Sequence, residues 1–153
     1  MKEFSKVIVF MLNNQKFAVD IQQVRSIERI HNITEIPRSS QFIKGILELR
    51  EEITPIIDLK DRLKIGEVNQ SSESRVIVVS FNSIQIGLLV DSAKDVINVN
   101  PNKITSTPKY IGGISEMFIK GVAKLEDDLL ILLDLDHILS LEEFNEVEEI
   151  IDT

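Results

Sequence analysis

The stretch FIKGILELREEITPIIDLKDRL, residues 42–63, is written a second time as FIKGVAKLEDDLLILLDLDHIL at residues 118–139. At a constant offset of 76, Phe42, Ile43, Lys44 and Gly45 meet Phe118, Ile119, Lys120 and Gly121. At the same offset Leu49 meets Leu125, and Asp58-Leu59 meets Asp134-Leu135. Apolar and polar residues alternate by chance in many chains, but an identical tetrapeptide followed in register by Asp-Leu marks an internal duplication.

The duplication extends upstream at an offset of 69, where Lys6-Val7-Ile8-Val9 is echoed by Arg75-Val76-Ile77-Val78. Asn13 then falls on Asn82, Phe17 on Ile86, Ala18 on Gly87 and Val24 on Ala93. Two halves, about 4–66 and 74–141, each open on a β-rich run and close on Asp-Leu. The offset grows by seven because the loop ahead of the second Phe-Ile-Lys-Gly is longer.

With 153 residues the chain is the size of one domain and needs no covalent staple. It has no cysteine, which excludes disulfides, Fe–S clusters, thiol nucleophiles and cysteine zinc sites. No apolar run reaches the ~18 residues of a membrane helix, and Met1-Lys2-Glu3-Phe4-Ser5-Lys6 lacks the core of a signal peptide, so the expected location is cytoplasmic. Against 25 acidic residues stand 17 basic ones, a net charge of −8 that repels phosphate backbones and anionic lipid and points to protein partners.

Val7 to Leu12 and Lys16 to Val19 are rich in β-branched and aromatic residues, and Asn13-Asn14-Gln15 supplies the residues that tight hairpins prefer. Asp20 caps a helical turn over 21–24, and residues 25–33 alternate again, in imperfect phase. Pro37 and Arg38-Ser39-Ser40 read as an irregular connection closed by Gly45. Strands follow at 46–50 and 53–57, with Pro55 implying an edge or a bulge because it cannot donate to a ladder. Asp58 caps a short helix over 59–63, with Gly66 as its stop.

Residues 67–74 carry nothing that fills a core and read as a linker. The second half repeats the plan with strands at 75–81, 84–90, 95–100, 119–126 and 129–134, and with residues 101–117, containing Pro101, Pro108, Gly112 and Gly113, as an extended loop. Leu135–Leu139 forms a helical turn. Ser140 and Glu143 make a capping box for a last segment, 142–153, that is either a docked amphipathic helix or an acidic tail. About five short strands per half predict an all-β fold in which each half closes into a small barrel, leaving between the barrels an apolar seam where a partner lodges.

No catalytic constellation emerges. His31 and His137 lie in different halves without a spaced nucleophile or metal-ligand pattern, no phosphate-binding glycine motif follows a strand, and helix capping explains Asp58 and Asp134. Neither a cofactor nor a metal is expected. A barrel with a small-molecule pocket remains the rival class, and a nucleic-acid-binding barrel conflicts with one Tyr, no Trp and the negative charge.

The residue 42–63 segment resembles the hallmark of the CheW family, a glycine followed by an Asn-Leu-Arg-Gly-type turn, a proline and Asp-Leu. Further matches are KVIVFMLNNQKFAVDIQQVRSIERI near the start, IGLLVDSAKDVINV at the middle and the repeat at 118–139, so the resemblance spans about residues 6–141. It implies a single CheW-like domain, 1–141, of two five-stranded SH3-like barrels in tandem, with exchange of a strand between the halves left open. It also implies a non-enzymatic chemotaxis adaptor that joins the cytoplasmic tips of methyl-accepting receptors to the regulatory domain of the histidine kinase CheA. A CheV-type adaptor is the alternative. Val24, Ile27, Arg50, Val76, Gly87 and Val96 match positions implicated in holding receptor or kinase, and Gly45 and Gly121 match structural turn glycines. Glu48-Leu49-Arg50-Glu51 departs from the family turn: the Arg is kept, while Glu51 replaces a glycine and costs about a kilocalorie per mole if the backbone there is left-handed.

Overall fold

The computed structural model describes residues 6–37, 40–106, 110–111 and 113–152. Its strands are β1 (Lys6–Leu12), β2 (Gln15–Asp20), β3 (Val24–Arg29), β4 (Ile43–Leu49), β5 (Glu52–Asp58), β6 (Arg75–Phe81), β7 (Ile84–Val90), β8 (Ser92–Asn98), β9 (Ile104–Thr105), β10 (Tyr110–Ile111), β11 (Ile114–Ser115), β12 (Ile119–Lys124) and β13 (Leu129–Leu133). Among the described residues the α-helices are α1 (Leu59–Arg62), which follows the first Asp-Leu, and α2 (Leu141–Asp152), which comes after the 3-10 turn Leu135–His137 at the second. Pro108, Gly112, Arg38 and Ser39 lie outside the described residues.

The strands divide into two large sheets, one ordered β8-β1-β2-β13-β12-β9 and the other β3-β6-β7-β5-β4, with β10-β11 as a separate two-stranded ribbon. This is an all-β architecture in which the first hairpin of each half has changed places with its counterpart. Hairpin β1-β2 lies beside β13 and β8 of the second half, and β6-β7 lies beside β5 and β3 of the first. The exchange is reciprocal and in equivalent register: Ala18 pairs in parallel with Leu132, and Gly87 with Ile56. The halves 4–66 and 74–141 are therefore repeats of sequence but not the spatial units, and neither closes a barrel from its own strands.

The repeat carries matching local devices. Both Phe-Ile-Lys-Gly segments open a strand at their Ile, and the register slips between Ile43 and Gly45 and between Ile119 and Gly121. Gly45 and Gly121 are thus bulge residues rather than turn residues. A Cβ at Gly45, where φ is +150°, would lie 2.1 Å from the Thr34 carbonyl oxygen, so only glycine fits the crossing segment. Asp58 N–H donates to Phe42 O at 2.8 Å and Asp134 N–H to Phe118 O at 2.9 Å. Each aspartate then accepts from its own helical turn, Asp58 from Asp61 N–H and Asp134 from Asp136 N–H.

Strands β1 and β6 are apolar on both faces, and the buried side chains form three cores. Val7, Val9, Ala18, Leu130 and Leu132 fill the inner face of the first sheet, and Leu49, Ile56, Val76, Val78 and Leu89 that of the second. The alternate residues, among them Ile8, Phe10, Phe17, Ile57, Ile77, Leu88, Ile131 and Leu133, meet between the sheets in the largest cluster. The expected open seam is for the most part this filled core, into which the cross-strand pair Phe10 and Phe17 contributes two stacked rings with centroids 6.0 Å apart.

At the pseudo-twofold centre stands Arg62, 9% exposed, its guanidinium 5.0 Å from the Phe42 ring and 4.7 Å from the Phe118 ring. It donates to the carbonyl of Ile138, its own equivalent at offset 76, and to Glu143 Oε1 at 3.0 Å. Burial lowers the Arg62 pKa while the Glu143 charge acts to raise it. Glu143 Oε1 also accepts from Ser140 N–H at 2.7 Å, and Glu143 N–H donates to Ser140 Oγ at 3.2 Å, so the capping box forms. With Val147 fully buried and Ser40 Oγ 2.6 Å from Glu146, the final segment is a docked helix.

Several expectations need correction. Pro55 is not at an edge: β5 is interior, and Pro55 is tolerated because the parallel ladder to β7 begins one residue later, at Ile56. Gly66 does not terminate α1; Leu63 is the cap and Lys64 takes the left-handed conformation. The linker 67–74 contributes to the interior after all, since Val68 packs against the Leu49–Leu89 core and Ser74 is buried. Residues 101–117 hold two helical turns and the short strands β9 to β11 rather than a plain loop.

Because both large sheets draw strands from both halves, cutting the chain in the 67–74 segment should leave two fragments that are each unfolded alone and regain β-structure on mixing. Circular dichroism and size-exclusion chromatography of the separate and mixed fragments test this; two independently folded fragments would contradict it.

Candidate interaction surfaces

Edges are what a pair of open sheets leaves unpaired. In the sheet orders β3 and β8 are end strands, and they are equivalent at offset 69. Each presents a β-branched side chain at the same position, Ile27 at 41% exposure and Val96 at 52%. Their cross-strand partners, Ile77 and Ile8, are buried in the central core, so Ile27 and Val96 form the outer rim of that apolar layer. Val24, the first residue of β3, is half-buried and packs on the same core. Val76 is fully buried, and Gly87 is held so closely that a Cβ would lie 2.6 Å from Val76 Cγ1 and 2.8 Å from Ile56 Cδ1. These two predicted contact residues are packing residues, one against the other.

Arg50 is exposed at the tip of the β4-β5 hairpin. Arg50 and Glu51 both have left-handed backbone, φ 52° and 64°, as a two-residue turn of the kind that matches strand twist requires. The turn is thus left-handed at Glu51, and carries strain that glycine would not.

The seam stays open at one end, in a pocket of about 270 Å³ lined by Leu12, Phe17, Ile65, Ile114, Leu129 and Ile131, with Asn13 and Gln15 at its rim. Asn13 Nδ2 donates to Ile65 O at 2.8 Å and Gln15 Nε2 to Leu129 O at 2.8 Å, fixing the two walls. Leu129 is 46% exposed. The equivalent end of the molecule, at Phe81, is covered: Phe144 of α2 lies 5.7 Å from the Phe81 ring, and Phe81 is the counterpart of Leu12. The pocket is thus the place where a second copy of α2 would sit had the first half carried one. The clue was in the sequence, because Ser140 begins a helix and its counterpart Lys64 does not. Leu129, Ile65 and Phe17 escaped the sequence reading because pockets are made by strands distant in the chain.

A second, polar pocket of about 460 Å³ lies by Asn32, Glu35, Lys44, Asp58 and Gln70. Asp58 is fully buried, and desolvation raises its pKa against the lowering effect of the Val68 and Asp61 N–H groups. Lys44 bonds Glu67 at 3.0 Å; burial lowers its pKa, but that hydrogen bond and the surrounding carboxylates leave it raised. Among the described residues no His, Cys, Asp and Glu cluster suits a metal. His137 Nδ1 lies 2.8 Å from Asp134 Oδ2 in an exposed pair within one helical turn. No helix among the described residues is long and apolar enough to cross a membrane.

Exchanged sheets around a packed middle, rimmed by apolar edges, define a scaffold: a rigid body that offers surfaces. The chain belongs to the CheW family, whose CheW-like domain model matches residues 6–143. It is 36% identical over 141 residues to chemotaxis protein CheW of Bacillus subtilis, covering 92% of this chain and 90% of that one. It is 30% identical to chemotaxis protein CheW of Thermotoga maritima, covering 91% and 89%. The crystal structure of the scaffolding protein TtCheW from Thermoanaerobacter tengcongensis superposes with a TM-score of 0.83 at 34% identity, covering 94% of this chain and 92% of that one. The protein is accordingly a chemotaxis adaptor of scaffold type.

Two substitutions separate packing from contact. Gly87→Ala should lower stability by about 1–3 kcal/mol through overpacking against Val76, and Glu51→Gly should raise it by about 1 kcal/mol by relieving the left-handed turn. Denaturant titrations measure both.

Proposed function

We propose that this adaptor joins the cytoplasmic tip of a methyl-accepting chemoreceptor to the regulatory domain of the histidine kinase CheA, acting in the cytoplasm without catalysing a reaction. The observation that carries the receptor half is the open end of the seam. It is the pseudo-symmetric mate of the α2 docking site, so its shape suits an amphipathic helix with a large apolar side chain directed at Leu12, Phe17 and Leu129. A receptor tip is helical, and its side chain would fill the pocket as Phe144 fills the other end.

The kinase half rests on β3 and β8. Ile27, Val24 and Val96 give apolar anchors at free strand edges, and Arg50 adds a planar fork of donors for a partner carboxylate or carbonyl. Val76, Gly87, Gly45 and Gly121 support these surfaces from within. Signal passes by rigid docking: a receptor state that holds the adaptor differently biases the kinase, with no chemistry in between.

Leu129→Glu should weaken receptor-tip binding by about tenfold or more while sparing the kinase, and Ile27→Glu or Val96→Glu should do the reverse, since a desolvated carboxylate in an apolar contact costs over 1 kcal/mol. All three side chains are exposed, so melting temperatures should hold. Calorimetric titration with a receptor-tip fragment and with the kinase domain reads the outcome, and unchanged binding of both partners by all three variants would refute the assignment.

A further inference from the structure

β3 contains a bulge. Val24 pairs with Val79 and Ser26 with Val78, leaving Arg25 as the extra residue, and a bulge re-aims the side chain it carries. Arg25 Nε donates to Ser80 Oγ at 2.7 Å and Nη1 to Gln85 Oε1 at 2.7 Å. Gln85 is 2% exposed and spends its amide nitrogen on Leu49 O at 2.9 Å and on Thr54 Oγ1 at 2.8 Å. Thr54, fully buried, donates its hydroxyl to Glu52 O at 3.0 Å.

Leu49 and Glu52 are the last paired residues of the β4-β5 hairpin. One chain of hydrogen bonds, begun on the free edge of β3, thus ends on the carbonyls at both feet of the Arg50–Glu51 turn. Neither Arg nor Glu prefers left-handed backbone, so the turn needs support from outside itself.

We propose that Gln85 and Arg25 are positioning residues that hold this turn in the conformation presenting Arg50 and lock it to the edge bearing Ile27, so that turn and edge meet the kinase as one surface. The proposal rests on the reading of Arg50 and Ile27 as kinase contacts. The turn alone, with no glycine, would sample other shapes, and each would have to be reversed on binding; a turn already held in place avoids that loss. Gln85 can do this because its acceptor and both amide hydrogens are committed to three different strands or turns, and no other residue type reproduces that set in an apolar surround.

The test titrates the kinase regulatory domain with the full chain carrying Arg50→Ala, Gln85→Met, both together, and Gln85→Met with Glu51→Gly, each melted alongside. Arg50→Ala and Gln85→Met should each weaken binding by about tenfold, and the double variant should be within about twofold of either, because residues acting through one another do not add. Glu51→Gly, which favours the left-handed turn by itself, should restore most of the affinity lost in Gln85→Met even though it does not restore a single bond to Gln85. Multiplying losses, about a hundredfold together, or failure of that rescue, would overturn the positioning role while leaving Arg50 a contact. Unchanged binding by Arg50→Ala would remove the contact reading and this inference with it. Should Gln85→Met not fold, Arg25→Met, at the exposed end of the same chain of bonds, takes its place in the cycle with the same expected and contrary results.

Discussion

Ile56, Ile57 and Asp58 of β5 pair in parallel with Gly87, Leu88 and Leu89 of β7, and Leu130, Ile131 and Leu132 of β13 pair in parallel with Lys16, Phe17 and Ala18 of β2. These two short ladders hold each first hairpin in the sheet of the opposite half, and the rest of the molecule depends on them. Strands so placed are covered on both faces, which is why Val7-Ile8-Val9-Phe10 and Val76-Ile77-Val78-Val79 run apolar without interruption. The two halves of the chain cannot separate without breaking both ladders, and the core between the sheets is the largest cluster of buried residues. Arg62 closes the arrangement, its charge held between two phenylalanines that the duplication made equivalent.

A body built this way has little freedom left to transmit a signal by internal rearrangement. What it offers is fixed relative placement of surfaces. The edges at Ile27 and Val96 are related by the pseudo-twofold axis, and the seam is sealed by α2 at one end and open at the other. Duplication alone would have made two like ends. The helix after Ser140, present once, breaks the symmetry and leaves distinct places for distinct partners.

Much of this was legible in the sequence. β-Branched runs marked the long strands, Asp20, Asp58 and Asp134 accept from the helical turns they precede, and the Ser140–Glu143 box formed. The exchange was not legible for a physical reason: in a duplicated chain, pairing a hairpin with its own half or with the other half satisfies the same registers and the same residues. The filled seam is implied by strands apolar on both faces, since such strands need cover on each side. Of the predicted contacts, Ile27, Val96 and Arg50 are exposed while Val76 and Gly87 are not, a distinction that isolated valines and glycines do not announce. The support that Gln85 gives to Leu49 and Thr54 joins residues more than thirty positions apart and left no local signature.

The central claim, that hairpin exchange makes one rigid unit, is tested most directly by native-state hydrogen exchange across a denaturant series. The slowest amides of Phe17 and Ile131 in one sheet and of Ile57 and Leu88 in the other should open with one common free energy and one denaturant slope, equal to those of global unfolding. Protection that persists in one sheet at denaturant concentrations where the other exchanges freely would show two separable barrels and contradict the account.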